Sequence, residues 1–527
     1  MLRKILLSAL AFLFLAPPAF VAFENFRGRT ELDAVLADLT AKGETMDIRK
    51  IAPPPIPAAS NSIQRFLTAA DAVALNAELQ PPALQWIAPA RAVAGASRTN
   101  WMTNDGREME WSQLADWKSN HLADLTRLRD SLAEPARQPV LNYDEGFNLL
   151  LPHLAKMKSA VNALGASMSE SAHRGDFEAA LEDLRSMRQV ADDLRQQPLL
   201  IDQLVRVACE AIASSRAWEL LHSHAWSDEQ LAKLQATMED ADLMDGMLTA
   251  LTGERALVVA TLAKLPTRDL LQLGDVGAND GNRNSSGFNI GALGGSLLRL
   301  TWGNQALAHY LKTFQSMLET NRLAAKQHSI QPVESLSNLP SLSPWNPRHF
   351  LTRMLLPALE KSSTKALRAE TERALLRTGI ALRRYQLRHQ GKVPANLQAL
   401  VPELLDAVPL DRMDGAPLRY RADTATEFTL WSLGQDRLDN DGDGSVPKDQ
   451  TSHRGNFYWW LAVDAVWPQP ASAEEVAAWQ QTLKDRRSRR NLPATNAPMT
   501  MSPDLMRRYG LSPGTNATAP ATSTNAP

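Results

Sequence analysis

From Gly391 to Asp449 the chain reads GKVPANLQALVPELLDAVPLDRMDGAPLRYRADTATEFTLWSLGQDRLDNDGDGSVPKD, and the fold of the C-terminal part turns on this stretch. Pro417 to Arg421 and Glu427 to Leu433 read as two strands, because Phe428 and Leu430 share one face while Thr429, Trp431 and Leu433 share the other. The intervening ADTAT supplies a hairpin turn, and the aromatic run from Gly455 to Val463 reads as a third strand. Upstream, Leu367, Ala374, Leu375, Ala381 and Leu382 mark a long helix whose arginines, at 368, 373, 377, 383, 384 and 388, form a basic outer face. Gly391 ends that helix and Pro394 prevents its return. A long helix packed on a small antiparallel sheet is the expected unit.

The loop that follows is rich in acid. Asp439, Asp441 and Asp443 alternate and Gly444 follows at once, a spacing that aims successive carboxylates at one hard cation, with Gly444 making the turn and Ser445 offering a carbonyl. Position twelve of an EF-hand would be Gln450 where Glu is usual, and no flanking helix is evident, so a full EF-hand does not fit. An acidic surface turn without metal is the alternative, since Asp, Asn and Gly are also the commonest turn residues.

The order of these elements resembles the C-terminal globular domain of type II secretion major pseudopilins. The matching positions are Tyr385, Gly391, Pro394, Leu397, Leu400, Asp411, Gly415, Pro417, Tyr420, Ser432, Gly434 and Asp436, with Asp464 and Trp467 where that family has a ligating aspartate followed by a tryptophan. The resemblance implies a pseudopilin-like fold and a structural Ca2+ site drawing on Asp436, Asp439, Asp441, Asp443 and Asp464. It covers about a fifth of the chain. Pseudopilins carry an assembly helix directly before this domain, whereas here the preceding helix is arginine-rich and the apolar segment lies more than 300 residues upstream. The resemblance therefore implies a fold and an ion, not polymerisation into a pseudopilus. The whole chain also looks like large bacterial envelope proteins of unknown function.

Working outward, 56 Lys+Arg against 58 Asp+Glu leave no basic field to attract nucleic acid. One cysteine, Cys209, sits in the apolar run LVRVACEAIA; it forbids an internal disulfide and reads as a small buried hydrophobe. Arg3 and Lys4 precede an uncharged run from Ile5 to Phe23, close to the roughly 20 residues that cross a bilayer. An uncleaved anchor is expected over residues 1–23, a cleavable signal peptide being the rival. The basic start orients the rest outward, although Arg27 and Arg29 oppose that orientation. The single-pass location this predicts is the bacterial inner membrane, with the bulk of the chain extracytoplasmic.

Residues 24–61 hold a juxtamembrane helix, TELDAVLADLTAKG, and the linker IAPPPIPAAS, a stiff spacer. Residues 62–345 read as a helical domain, an irregular bundle or solenoid. Its candidate helices are Trp111 to Asp130, Glu145 to Ser171, Asp176 to Arg195, Leu199 to His222, Asp228 to Met238 and Leu243 to Leu262. Ser227 with Gln230 makes a capping box. The segment around Gly175 resembles a tetratricopeptide hairpin but has no second copy at that period. A mobile loop is expected at 272–295, a domain boundary near 331–350, the pseudopilin-like domain over 350–468, and a charged helix with a disordered tail over 469–527.

No nucleophile-elbow, zinc-protease or nucleotide-binding motif is present. His222 and His224 read as a helix end rather than metal ligands. Adjacent carboxylates such as Asp192 with Asp193 point in different directions on a helix and read as solvated faces. The expectation is a non-enzymatic, membrane-anchored structural or interaction protein, with envelope or secretion-system proteins as partners. The alternative is an envelope enzyme whose catalytic groups converge from separate helices. Buried, converging ionisable groups in a cleft would favour the enzyme.

Overall fold

A computed structural model describes residues 2–75, 79, 84–88, 90–102, 108–134, 137–239, 241–264, 290–334, 342–343, 345–445 and 462–490. The chain is mainly helical with three small sheets among the described residues. It opens with α1 (Leu2–Ala41), α2 (Ile48–Ile51) and α3 (Ile63–Ala72), followed by β1 (Gln85–Ala88), β2 (Arg91–Val93), β3 (Asn100–Met102) and β4 (Glu108–Glu110). The body then runs through α4 (Trp111–Asn120), α5 (Leu122–Ala133), α6 (Pro152–His173), α7 (Phe177–Asp192), α8 (Leu200–Ser223), α9 (Asp228–Thr237) and α10 (Leu243–Lys264). After it come α11 (Ile290–Gln327), α12 (Gln331–Glu334), α13 (Phe350–Arg388), β5 (Arg419–Ala422), β6 (Phe428–Ser432), β7 (Ala465–Val466) and β8 (Gln469–Pro470). These elements fall in one compact unit, Met1–Ser472; a second, Ala473–Pro527, is described as helix α14 (Ala473–Arg490).

Periodicity located the helices of the body, although the expected helix from Glu145 starts only at Pro152, after a 3-10 segment at Tyr143–Asn148 broken by Gly146. The expected 111–130 helix divides at His121 into α4 and α5, and Ser227 caps α9 with both halves of the capping box in place. The centre of the core is the α6–α7–α8 trio, where Met157, Val161, Leu164, Leu181, Leu184, Met187, Cys209 and Ala213 are all fully buried. Fully burying one Leu or Met contributes roughly 1.5–3 kcal/mol. Strands β1 to β4 were not expected within what reads as a helical domain. They are three or four residues long, too short to show a period, and β2 pairs in parallel with the distant β8.

Helix α13 differs from the expected amphipathic helix with a basic outer face. Ala366, Leu367, Arg373, Leu375, Leu376, Thr378, Ile380 and Leu382 are all buried, so its middle is enclosed on every side. Arg373 is not solvated; its guanidinium donates to Glu210 of α8, to which Arg188 of α7 also approaches at 3.5 Å. Arg384 and Arg388 donate to Asp228 of α9 at 2.8 and 2.9 Å. The proline-containing break at 331–350 thus joins elements that share a core. At the sheet end of α13, a Cβ on Gly379 would lie 2.7 Å from the Trp467 ring, so only glycine admits the indole there. Sheet β5-β6-β7 is antiparallel throughout, with Tyr420 opposite Leu430 and Ser432 opposite Ala465. The strand expected at 455–463 lies mostly outside the described residues, and the third strand observed is β7. The expected loop at 272–295 lies outside them up to residue 289, while 290–295 belong to α11.

At the N-terminus, the expected anchor and juxtamembrane helix are one continuous helix, α1, with Pro17 and Pro18 inside it. Among the described residues, no helix is long and apolar enough to cross a membrane, so the expected membrane-crossing helix is not supported; side chains in α1 are described from residue 13 onward. The proline linker is not a free spacer: Gln138 accepts from the Ile56 amide at 2.9 Å and donates to the Pro53 carbonyl at 3.1 Å.

Helix α1 lies along α11 and is stitched to it by acids. Glu24 accepts from Gln305 at 2.7 Å, and Glu31 accepts from Lys312 at 2.8 Å. Glu44, just past the helix end, accepts from the fully buried Arg255 at 2.6 Å, from Gln315 at 3.1 Å, and from Arg322. Burial works to raise the Glu44 carboxyl, but the hydrogen bonds from Arg322, Arg255 and Gln315 outweigh it and hold the group at about 2. A depressed folded-state pKa stabilises the fold above the unfolded value of 4.5, and that contribution is lost as pH falls toward 2. We expect Glu44→Ala to cost about 3–5 kcal/mol in urea unfolding at pH 7, because it strands Arg255. Glu44→Gln should flatten the loss of stability between pH 5 and pH 2.

Candidate functional site

Two of the positions singled out in the sequence, Asp411 and Ser432, meet at one buried carboxylate. Asp411 accepts from the Ser432 hydroxyl at 2.8 Å, the Leu433 amide at 2.9 Å, the Met413 amide at 3.0 Å and Arg419 at 3.0 Å. Burial nevertheless leaves its pKa raised, with those bonds opposing the rise. The Tyr420 hydroxyl donates to the Pro394 carbonyl at 2.7 Å, which ties β5 to the turn after α13. Trp467 donates its amide to Leu430 at 2.8 Å while its ring covers Gly379.

The acidic loop is anchored on β6. Asp439 accepts from the Trp431 indole at 3.0 Å and from the Asp441 amide at 3.1 Å. Asp441 pairs with Arg421 at 3.0 Å, and Arg421 also donates to the Asp441 carbonyl at 2.7 Å. The sharp turn is made at Asp441 and Gly442, with φ of +57° and +80°, and not at Gly444. A Cβ on Gly442 would sit 2.8 Å from Thr429, so this glycine is needed both for its backbone angle and for close packing.

Asp464 is the organiser of the loop. It is fully buried, and its Oδ2 accepts from the amides of Asn440 at 3.2 Å, Gly442 at 2.9 Å and Asp443 at 3.0 Å. Burial pushes its pKa up to about 6, the three amides oppose this, and the Asp439 charge adds to it. Its own amide donates to Asp443 at 2.8 Å, and Val463 donates to Ser445 at 2.7 Å, so the loop's two ends are held as neighbours. Asp443 accepts from the Ser445 amide at 2.9 Å and Asp436 from the Leu438 amide at 3.0 Å. The five expected aspartates carry hard oxygens of the kind calcium prefers, Asp436 to Asp443 after β6 and Asp464 just before β7. Their carboxylates nevertheless turn toward Trp431, Arg421 and backbone amides, and among the described residues no three acidic or histidine side chains form a metal-holding group.

In the helical body, sequence reasoning missed a buried couple. His153 at the start of α6 and Asp202 at the start of α8 are both buried, with Nε2 and Oδ1 3.9 Å apart. Burial pushes Asp202 up to about 7 and His153 down to about 4. Nearby, Glu254 of α10 accepts the Leu200 amide at 2.8 Å and is also raised by burial. Forty-nine residues separate His153 from Asp202, and no spacing in the sequence signals their meeting. Neither lines the open groove between α7 and α9, where Arg185, Gln189, Asp192 and Lys233 sit. There Arg188 is taken up by the Thr237 and Glu239 carbonyls and Lys233 by Glu178.

The remaining candidates are structural. His222 is half-buried against Trp218 and pushed down to about 3 by the desolvation of its ring, with Arg383 adding to this, while the His224 ring lies against Trp226. Asp193 is held by Arg137 at 2.7 Å rather than solvated. Cys209 is buried, which pushes its thiol up to about 12.

The Asp202 carboxyl has a raised folded-state pKa, so its contribution to stability is complete below the unfolded value of 3.8 and is lost as pH rises through about 7. Asp202→Asn should therefore raise stability at pH 8 by about 4 kcal/mol and leave it nearly unchanged at pH 4, as read by urea unfolding. The chain matches no family model, no curated protein and no solved structure.

Proposed function

We propose that this protein is a membrane-anchored, extracytoplasmic structural or interaction protein of the bacterial inner membrane, with α13 and sheet β5-β6-β7 forming a pseudopilin-like unit. The observation that carries this reading is the apolar surface of α1. Leu13, Phe14, Leu15, Phe20, Phe23 and Phe26 are 50 to 71% exposed on one helix, within or just after the uncharged run from Ile5 to Phe23. Such a patch on a protein in water is a site for lipid or for another protein. The charged side chains of the body support a structural role, because Glu210, Arg373, Asp183, Arg129, Arg255 and Glu44 are tied to one another across helices. The pseudopilin-like reading draws support from Asp411, whose partners Ser432 and Leu433 lie at the end of β6, directly before the matching positions Gly434 and Asp436.

Calcium is the ion this reading assigns to the acidic loop, with Asp436, Asp439, Asp441, Asp443 and Asp464 as donors. Binding requires the exposed carboxylates of Asp439 and Asp441 to exchange Trp431 and Arg421 for the cation. The ion would cancel repulsion within the cluster and stabilise the fold by mass action. Secretion-system or other envelope proteins are the partners the resemblance favours.

Two measurements test the proposal. In bacterial cells the full chain should stay with membranes through a carbonate wash and be degraded by protease added to the periplasmic side, and deletion of residues 2–23 should sharply weaken that retention. Recovery of the intact chain in the soluble fraction would overturn the anchor. Separately, 1 mM calcium should raise the melting temperature of the full chain relative to chelator, and Asp439→Ala with Asp441→Ala should abolish the rise; an equal melting temperature in both buffers would remove calcium from the account.

A further inference from the structure

We infer that the start of α11 is a second membrane-inserting element, so that the protein meets lipid through a helix pair and not through α1 alone. The inference rests on the membrane reading above and extends it to a segment far away in sequence. Contacts between α1 and α11 climb in the same sense along both helices: Phe20 with Trp302, Glu24 with Gln305, Glu31 with Lys312, and Glu44 with Arg322. The two helices are therefore parallel. At the lower end of this contact, Asn25 donates to the Leu300 carbonyl at 2.6 Å. Helix α11 begins ten residues earlier, at Ile290. At 1.5 Å per residue, those ten residues extend about 15 Å back alongside the apolar part of α1.

The composition of that segment suits the position. Ile290 to Leu300 reads IGALGGSLLRL, with Arg299 its single charge. Leu300 is 52% exposed although it stands beside the well-packed Thr301 and Gln305. Between the helices runs an open groove lined by Pro17, Pro18, Val21, Ala22, Phe26 and Leu300 together with the polar Asn25 and Arg29. Above this level the character changes abruptly, since Glu24 is buried and bound to Gln305 and approached by Arg348 at 3.5 Å.

The exposed Leu13, Phe14 and Leu15 of α1 below, the Phe20 and Trp302 rings at the boundary, and Arg27 and Arg29 just above are the pattern of a segment entering the headgroup region and the outer acyl chains. A second copy of the chain or another protein would also cover apolar surface. The arginines at one edge specify anionic headgroups instead, because Arg29 makes no ion pair among the described residues while Arg27 has only Glu24.

The test uses the full chain with an environment-sensitive fluorophore on one introduced cysteine. Cys209, being fully buried, does not compete for the label. Phe14→Cys places the probe in α1 and Ser296→Cys places it in α11; each labelled protein is added to vesicles of phosphatidylglycerol and phosphatidylcholine, with and without brominated acyl chains. We expect a blue shift and at least twofold quenching by brominated lipid at both positions. Quenching at position 14 with an aqueous, unquenched probe at 296 would overturn the helix pair while leaving the α1 anchor standing. Aqueous probes at both positions would overturn the membrane reading as well. Vesicles of phosphatidylcholine alone should bind at least tenfold more weakly, and equal binding would remove the arginines from the account.

Discussion

Glu210 of α8 and Arg373 of α13 meet where neither can reach water, and this contact makes a single body of segments that read as two domains. A buried ion pair is seldom more stabilising than well-packed hydrocarbon, because both charges give up hydration. Its effect is on choice. Leucine against leucine tolerates a shift of one turn, whereas a carboxylate displaced from its guanidinium by 5 Å is left buried and unpaired. With α8 and α13 so registered, Trp218 reaches the Pro468 carbonyl at 3.1 Å and Gln235 reaches the Leu404 carbonyl at 2.5 Å. The small sheet is thereby positioned against the helical body by single-valued polar contacts.

The same device recurs at each seam. Lys118 with Glu170 and Arg129 with Asp183 cross between helices of the body, Arg137 in the segment after α5 holds Asp193 at the end of α7, and Glu44 gathers α1, α10 and α11 at one point. An Ala-rich core of modest side chains supplies the burial, and the charges supply the register. This also explains why ionisable groups inside the protein are not by themselves signs of catalysis here: most have an opposite charge within reach on a neighbouring helix. The His153–Asp202 couple differs, as both groups are pushed by burial toward their neutral forms.

What the sequence made legible follows from range. Helices α6 to α10 announce themselves through three- and four-residue spacing and through caps such as Ser227, all of which act within a few residues. The hairpin of β5 and β6 was legible for the same reason, its faces alternating over five residues. Strands β1 to β4 were not, since three residues carry no period and β2 finds β8 only across the whole fold. The arginines of α13 were misread because a helix enclosed on all sides has no polar stripe, and Arg373 looks solvated until Glu210 is placed beside it. In the acidic loop the spacing drew attention to Gly444, while the turn belongs to Gly442, whose tight packing on Thr429 no local pattern reveals.

The backbone bonds from Val463 to Ser445 and from Asp464 to Asp443 have a further consequence. They hold Ser445 beside Val463 and Asp443 beside Asp464, so the acidic loop is joined directly to the segment that leads into β7. With residues 443 and 445 bonded directly to 464 and 463, the positions of β7 and the buried Asp464 are set by these local contacts.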